Sequence, residues 1–323
     1  MTKLTIEVMA PEASSAQVGP RRHVASHRVA PYGFLTPAIV LFIAFLALPI
    51  GYSIYLSLHA VKVSGLGLGK GARHEVWAGL ANYARSLSDP EFLASVGRVG
   101  LYGLLVVPMM LGLALLFALM LDSRRTRARA FSRIAIFLPY AVPAVISSLL
   151  WGFLYLPAVS PFYYLFHRAA WDVPNVLSSQ LVIFAVANIA VWGGTGFNMI
   201  VIYTALKAIP TELYEAAKLD GCSEVAIAWR IKVPIVVPSI IMTFVFSMIA
   251  TLQVFAEPVT LRPLTNTIST TWTPLMKVYR DAFTRNDIYS AAATSVVIAV
   301  ATFILSFGFL RLVQSRAFSQ EKS

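Results

Sequence analysis

Residues 215–234 read EAAKLDGCSEVAIAWRIKVP, a polar, helix-forming stretch with a glycine near its middle, set between two long apolar runs. Thr211 follows Pro210 and is placed to N-cap a short helix with Glu212 in its first turn, beside the positive end of the helix dipole. That helix is expected to run to about Leu219, where Asp220-Gly221 supplies a turn. Ser223 is placed to cap a second short helix, which Pro234 is expected to end as the next apolar run begins. Ala216 and Ala217 keep one face shallow, so the first helix can seat in a groove on another protein.

Outward from this stretch, the chain is a membrane sequence. Of its 323 residues 58% are hydrophobic and 13% charged, too apolar a balance for a soluble domain of this length. Six windows, at about 34–58, 99–121, 134–155, 180–206, 235–256 and 288–310, hold no Asp, Glu, Lys, Arg or His. Each has 22 residues or more. At ~1.5 Å per residue that is enough to cross a ~30 Å hydrocarbon core. A backbone in lipid must satisfy its own hydrogen bonds, so the windows are expected to be helices. The expected fold class is an all-α integral membrane protein with six transmembrane helices.

The net charge is +11, and its placement orients the chain. With the N-terminus inside, the inner segments hold sixteen of the 26 basic residues, among them Arg124, Arg125, Arg127, Arg129 and Arg133 just after the second window. This asymmetry predicts N-in, C-in and a cytoplasmic Glu215 loop. Basic residues gathered at membrane edges argue against nucleic acid as a partner. Cys222 is the one cysteine, which excludes an internal disulfide and a cysteine-based metal cluster. His23 and His27 stand four apart in a Ser/Ala/Arg-rich tail without a nearby carboxylate, and read as solvated. Residues 1–32 precede an apolar run too long for a signal-peptide core and read as a retained, disordered tail. The stretch SGLGLGKGA at 64–72 fails as a phosphate loop, because Ser64 stands where a glycine is needed and Gly71 where Ser or Thr is needed.

The missing charges exclude several functions. An ion-driven carrier generally needs a charged group inside the membrane, and the six windows hold none. No inverted internal repeat is visible. The fifteen carboxylates lie in loops and tails with no convergent set, which argues against an enzyme. Neither charged rings nor a carbonyl filter marks a selective channel.

Neutral polar groups are concentrated in three spans. The third contains Pro139 and Pro143, which are expected to kink it, either as static packing or as a gating hinge. The fourth holds Asn188, Trp192, Gly193, Gly194, Thr195, Gly196, Phe197 and Asn198. Small residues let a backbone or a ligand come close, and neutral hydrogen-bonding groups beside aromatic faces suit a sugar; the same residues suit helix packing. The fifth carries Ser247 and Thr251 on one face, then Gln253. Glu257 and Arg262 follow and are expected to pair. Thr294, Thr302 and Ser306 in the sixth read as packing residues.

The 215–234 stretch resembles the EAA loop of permease subunits of ATP-binding-cassette importers, through Glu215, Ala216, Ala217, Asp220, Gly221, Ile231 and Pro234. GLANYARSLSDPEF at 79–92, which reads as two short amphipathic turns, and IAIFLPYAVPAVISSLLWGF at 134–153 are similar to the sugar-type members. The resemblance to maltose-type permeases covers about 33–313 and implies a type I ABC importer transmembrane domain, with coupling loop 205–234 and cytoplasmic tails at 1–32 and 314–323. It implies a second homologous permease (a hetero-dimer), two ABC ATPases on the coupling loops, and an extracytoplasmic solute-binding protein. ATP and Mg would be bound by the ATPases, no cofactor by this chain, and the location would be a bacterial inner membrane. It also implies that Gly194, Phe197, Ser247 and Thr251 line the sugar pocket; Asn198 and Gln253 join them as candidates from their own chemistry. Two departures count against maltose itself. Val254 stands where an asparagine is expected, and TLRPLT at 260–265 lacks the usual glycine pair. A permease for another solute, glycerol phosphate or a peptide, would keep the loop but place charges near the cavity. An ATPase-independent channel or scaffold would tolerate replacement of Glu215.

Overall fold

The computed structural model describes residues 30–63, 73–123, 126–171 and 173–317. Residues 1–29 of the tail read as disordered, with His23 and His27, and the glycine-rich 64–72 lie outside the described residues; the last three residues of that tail, 30–32, are helical. Met1–Ile50 and Gly51–Ser323 are separate compact units. The described part of the first is one apolar helical run: Ala30–Phe42, a π turn at Ile43–Ala47, and the start of Leu48–Ser57.

Among the described residues five helices are long and apolar enough to cross a membrane: Tyr32–Ser57, Pro90–Asp122, Val182–Lys207, Glu224–Leu252 and Ile288–Arg311. A sixth span comes from a pair, Arg129–Ala141 and Ala144–Tyr155, bent by 98°. In chain order the bent pair is the third span. The expected kink is thus a full break. Val142, preceding Pro143, is extended at φ −82, ψ 126 because the proline ring excludes the helical region there. Pro143 then serves as the N-cap position of the next helix.

The second and fourth spans pack along their length. Ala114 and Ala118 present no bulk to Met199, Ile202 and Leu206, and all five are buried in one apolar cluster. Gly196 brings the fourth span onto the first half of the bent pair, where a Cβ would collide with the Ile136 carbonyl oxygen. Only glycine permits this approach.

The helical expectation omits one element. His59–Val63 pairs antiparallel with Arg73–Trp77, His59 opposite Trp77. Buried Asn82 ties this hairpin down by donating to the carbonyls of Ser57 (2.9 Å) and His59 (2.8 Å). The stretch read as two short turns at 79–92 is one helix, Ala81–Ser88, followed directly by the second span. The Asp89 carboxylate caps that span by accepting from the Glu91 N–H at 2.8 Å, and Pro90 opens it.

At the same end, Lys277 lies 2.6 Å from Asp281 and 3.0 Å from Asp89, while Arg280 lies 2.6 Å from Glu91 and 2.9 Å from Asp281. The network binds the segment before the sixth span to the start of the second. Burial raises the Asp89 pKa, but the Lys277 ammonium and the Glu91 N–H outweigh it and hold the carboxyl below its ordinary value.

Candidate functional site

Two sites emerge, one inside the bundle and one at its end. The first is a cavity of about 950 Å³. All six pathway candidates line it: Gly194, Phe197 and Asn198 from the fourth span, Ser247 and Thr251 from the fifth, and Gln253 just beyond. Met110 of the second span crosses Gly194, where a Cβ would stand 2.7 Å from the methionine sulfur. Asn198 donates to the Gly194 carbonyl and to Met110 Sδ, both at 3.0 Å, and its Oδ1 accepts from Ser247 Oγ at 3.3 Å. Thr251 Oγ1 donates to the Ser247 carbonyl at 2.7 Å. The donors of Asn198, Ser247 and Thr251 are thus engaged within the protein, while their oxygens keep lone pairs to accept from a guest. Phe197 stacks on Tyr140 at 5.0 Å between ring centroids, so the break in the third span supplies an aromatic wall.

Gly193 of the fourth span also lines the cavity, whereas Asn188 and Trp192 do not. Asn188 donates to the Tyr155 hydroxyl at 2.9 Å, and Tyr155 in turn donates to the Ala185 carbonyl at 3.1 Å. Trp192 meets Trp151 edge-to-face at 5.9 Å. These are packing residues. Sequence reasoning missed Tyr102, Met110, Tyr140 and Glu257 on the cavity wall. For Tyr140 the signal was its place between two prolines; for Glu257 it was a position one residue past a charge-free window. Glu257 does not pair with Arg262 as expected, because the helix Ala256–Leu261 starts just beyond the fifth span and sets the carboxylate on the cavity. Among the described residues no group of three His, Cys, Asp or Glu side chains could hold a metal ion.

The second site is the 205–234 loop. Its first helix is Thr211–Leu219, and it ends as a Schellman turn: Cys222 N–H donates to the Ala217 carbonyl at 2.9 Å and Gly221 N–H to the Lys218 carbonyl at 3.0 Å. Gly221 supplies the left-handed residue, at φ +79. Nothing lies within 4 Å of where its Cβ would be, so backbone conformation and not crowding requires glycine. Ser223 caps the next helix by accepting from the Ala226 N–H at 3.3 Å.

Two expectations fail here. Pro210, not Thr211, occupies the N-cap position, and Thr211 is the first helical residue. Pro234 ends nothing: helix continues from Glu224 through a π turn at Ala228–Lys232 into the fifth span. The wider turn leaves room for the proline ring, which an α-helix would press against the carbonyl four residues back. Ala217 and Ile227 are buried, whereas Leu213, Leu219, Val225 and Trp229 are exposed, Leu219 at 90%.

The loop is also anchored by charge. Asp122, at the end of the second span, is 2.6 Å from Lys232 and 2.7 Å from Lys207. Lys232 also lies 4.7 Å from the Tyr214 ring centroid. Sequence reading had no means of finding this clamp, whose members are far apart in the chain.

Residues 110–320 match the family of binding-protein-dependent transport system inner membrane components. The chain belongs to this family. The sn-glycerol-3-phosphate transport system permease protein UgpA of Agrobacterium fabrum is 30% identical over 298 residues, covering 91% of this chain and 97% of that one. The protein of the same name from Rhizobium meliloti is 29% identical, covering 92% and 98%. Among solved structures, a bacterial ABC transporter involved in import of the acidic polysaccharide alginate superposes with a TM-score of 0.75 at 20% identity, over 88% of this chain and 95% of that one. This permease is therefore a multi-pass inner-membrane component with a type I importer fold. The matched residues contain the whole 205–234 loop and every pathway candidate.

Proposed function

We propose that this permease forms half of the translocation pathway of a sugar importer and is worked from the cytoplasm by separate ATPases. The observation that carries the reading is the convergence of Gly194, Phe197, Asn198, Ser247, Thr251 and Gln253 on one cavity of about 950 Å³. A sugar offers hydroxyls to the acceptor oxygens and its C–H face to Phe197 and Tyr140. The relatives are named for a phosphorylated polyol, sn-glycerol-3-phosphate; among the described residues the cavity wall here has no Lys, Arg or His to hold a phosphate, which favours a sugar.

The Glu215 loop faces the cytoplasm in the N-in, C-in orientation, with the transmembrane domain at 33–313 and tails at 1–32 and 314–323. Its exposed Leu213, Leu219, Val225 and Trp229 offer an apolar docking face to an ABC ATPase. A second, homologous permease closes the cavity, and an extracytoplasmic binding protein delivers the sugar. ATP and Mg are bound by the ATPases, and this chain binds no cofactor. Closure of the ATPases draws the two loops together and opens the cavity outward, and hydrolysis resets it. The loop is the transmitting element because its contacts differ between the two states.

The test is reconstitution with the partner permease, ATPases and binding protein in vesicles. Radiolabelled mono-, di- and trisaccharides should accumulate only with ATP. Accumulation by this chain alone, or without ATP, would refute the reading.

A further inference from the structure

Among the described residues, the buried carboxylates Asp122 and Asp281 have cationic partners. Asp122 sits between Lys232 and Lys207, and Asp281 between Lys277 and Arg280. Glu257 differs. Among the described residues it is the one acidic side chain on the cavity wall, and no Lys, Arg or His lines that wall. Among the described residues no ion pair neutralises it. Its neighbours on the wall are apolar or neutral: Val254, Phe255, Ala256, Gln253 and the Tyr102 phenol. A carboxylate held against such a wall without a counter-charge is costly to keep, and packing alone would be served better by an apolar residue. Burial raises the Glu257 carboxyl above its ordinary value, and in its ionised form its field is felt by anything that enters the partly dehydrated cavity.

We propose that Glu257 excludes anions, so that the solute passing this half of the pathway is an uncharged or amino-bearing sugar and not a phosphorylated or uronic one. The inference rests on the cavity being the sugar pathway. It separates this permease from relatives named for an anionic solute, which would need a cationic or neutral wall at this place. The acceptor oxygens of Asn198, Ser247 and Thr251 act in the same sense, since they can take hydrogen bonds from hydroxyl or ammonium groups but repel carboxylate and phosphate oxygens.

The experiment reads charge directly. Cys222, the one cysteine, is removed as Cys222→Ala, and Ala250→Cys sets a thiol on the cavity wall. The assembled importer is then treated with a cationic trimethylammonium-ethyl methanethiosulfonate or an anionic sulfonatoethyl methanethiosulfonate, each rate normalised to that with a free thiol. The cation should react faster by about tenfold, the effect of one partly screened charge on the same cavity wall. Glu257→Gln should bring the ratio near unity and Glu257→Lys should reverse it. A ratio that neither substitution moves overturns the proposal, as does a thiol that neither reagent reaches. So does sn-glycerol 3-phosphate uptake that depends on this chain and is unchanged by Glu257→Gln. Failure of every saccharide to accumulate, with the labelling ratios as expected, would instead refute the sugar reading.

Discussion

Gly221 is where a single residue's freedom matters most. At φ +79 an L-residue with a side chain is strained by about 1–2 kcal/mol, and a β-branched one by more. Gly221→Val should therefore unlock the Schellman turn, abolish uptake and leave the protein in the membrane, as membrane fractionation and transport assays would show. Wild-type uptake would count against the transmitting role of the loop. In the cavity, Ser247→Leu together with Thr251→Leu removes two acceptor oxygens and adds bulk beside Met110. Transport should fall at least about tenfold, the loss of one or two hydrogen bonds and of space. Co-purification of the ATPases should survive; its loss would reassign both residues to structural support.

Among the elements, the fifth span and the loop before it behave as one piece. The π turn at Ala228–Lys232 keeps the helix continuous past Pro234, so displacement at Trp229 is carried into the span that holds Ser247 and Thr251. The Asp122 clamp joins this piece to the second and fourth spans. Side chains here are nearly dry, with Asp122 at 5% and Lys232 at 10% exposure. Removing one member of a buried pair leaves the other uncompensated and costs about 3–5 kcal/mol. Asp122→Ala should accordingly lower the detergent-solubilised protein's thermal midpoint sharply, whereas Lys207→Ala, losing a partner that is 46% exposed, should lower it little. Equal effects would show that Lys232 is not the main partner.

For the molecule as a whole, two ion networks at opposite ends hold the spans in register around the cavity. The Asp89–Lys277–Asp281–Arg280–Glu91 network is sensitive to acid. Because the folded Asp89 carboxyl titrates below its ordinary value, its contribution is complete above the unfolded value of about 4 and is lost as pH falls further. Thermal stability of the purified protein should thus be flat in this respect from pH 7 to 5 and decline below about pH 4. Asp89→Asn should flatten part of that decline. The close crossing at Gly196 is a second global constraint: Gly196→Val should push the bent third span away from the fourth, and the folded protein should be lost from the membrane.

Much of this was legible in residue order alone. The charge-free windows, the Glu215–Pro234 loop and the neutral polar cluster of the fourth and fifth spans are properties of short stretches. Lipid admits only long apolar helices, and a left-handed turn admits little but glycine, so each such stretch declares itself without help from the rest. Packing decided what no stretch could declare. It turned two prolines into a 98° break, sent Asn188 and Trp192 to helix contacts while Asn198 reached the cavity, drew Asp122 between two lysines, and left Glu257 facing the lumen instead of Arg262. Each outcome depends on which helix lies beside which, and that is set by the summed fit of many distant side chains.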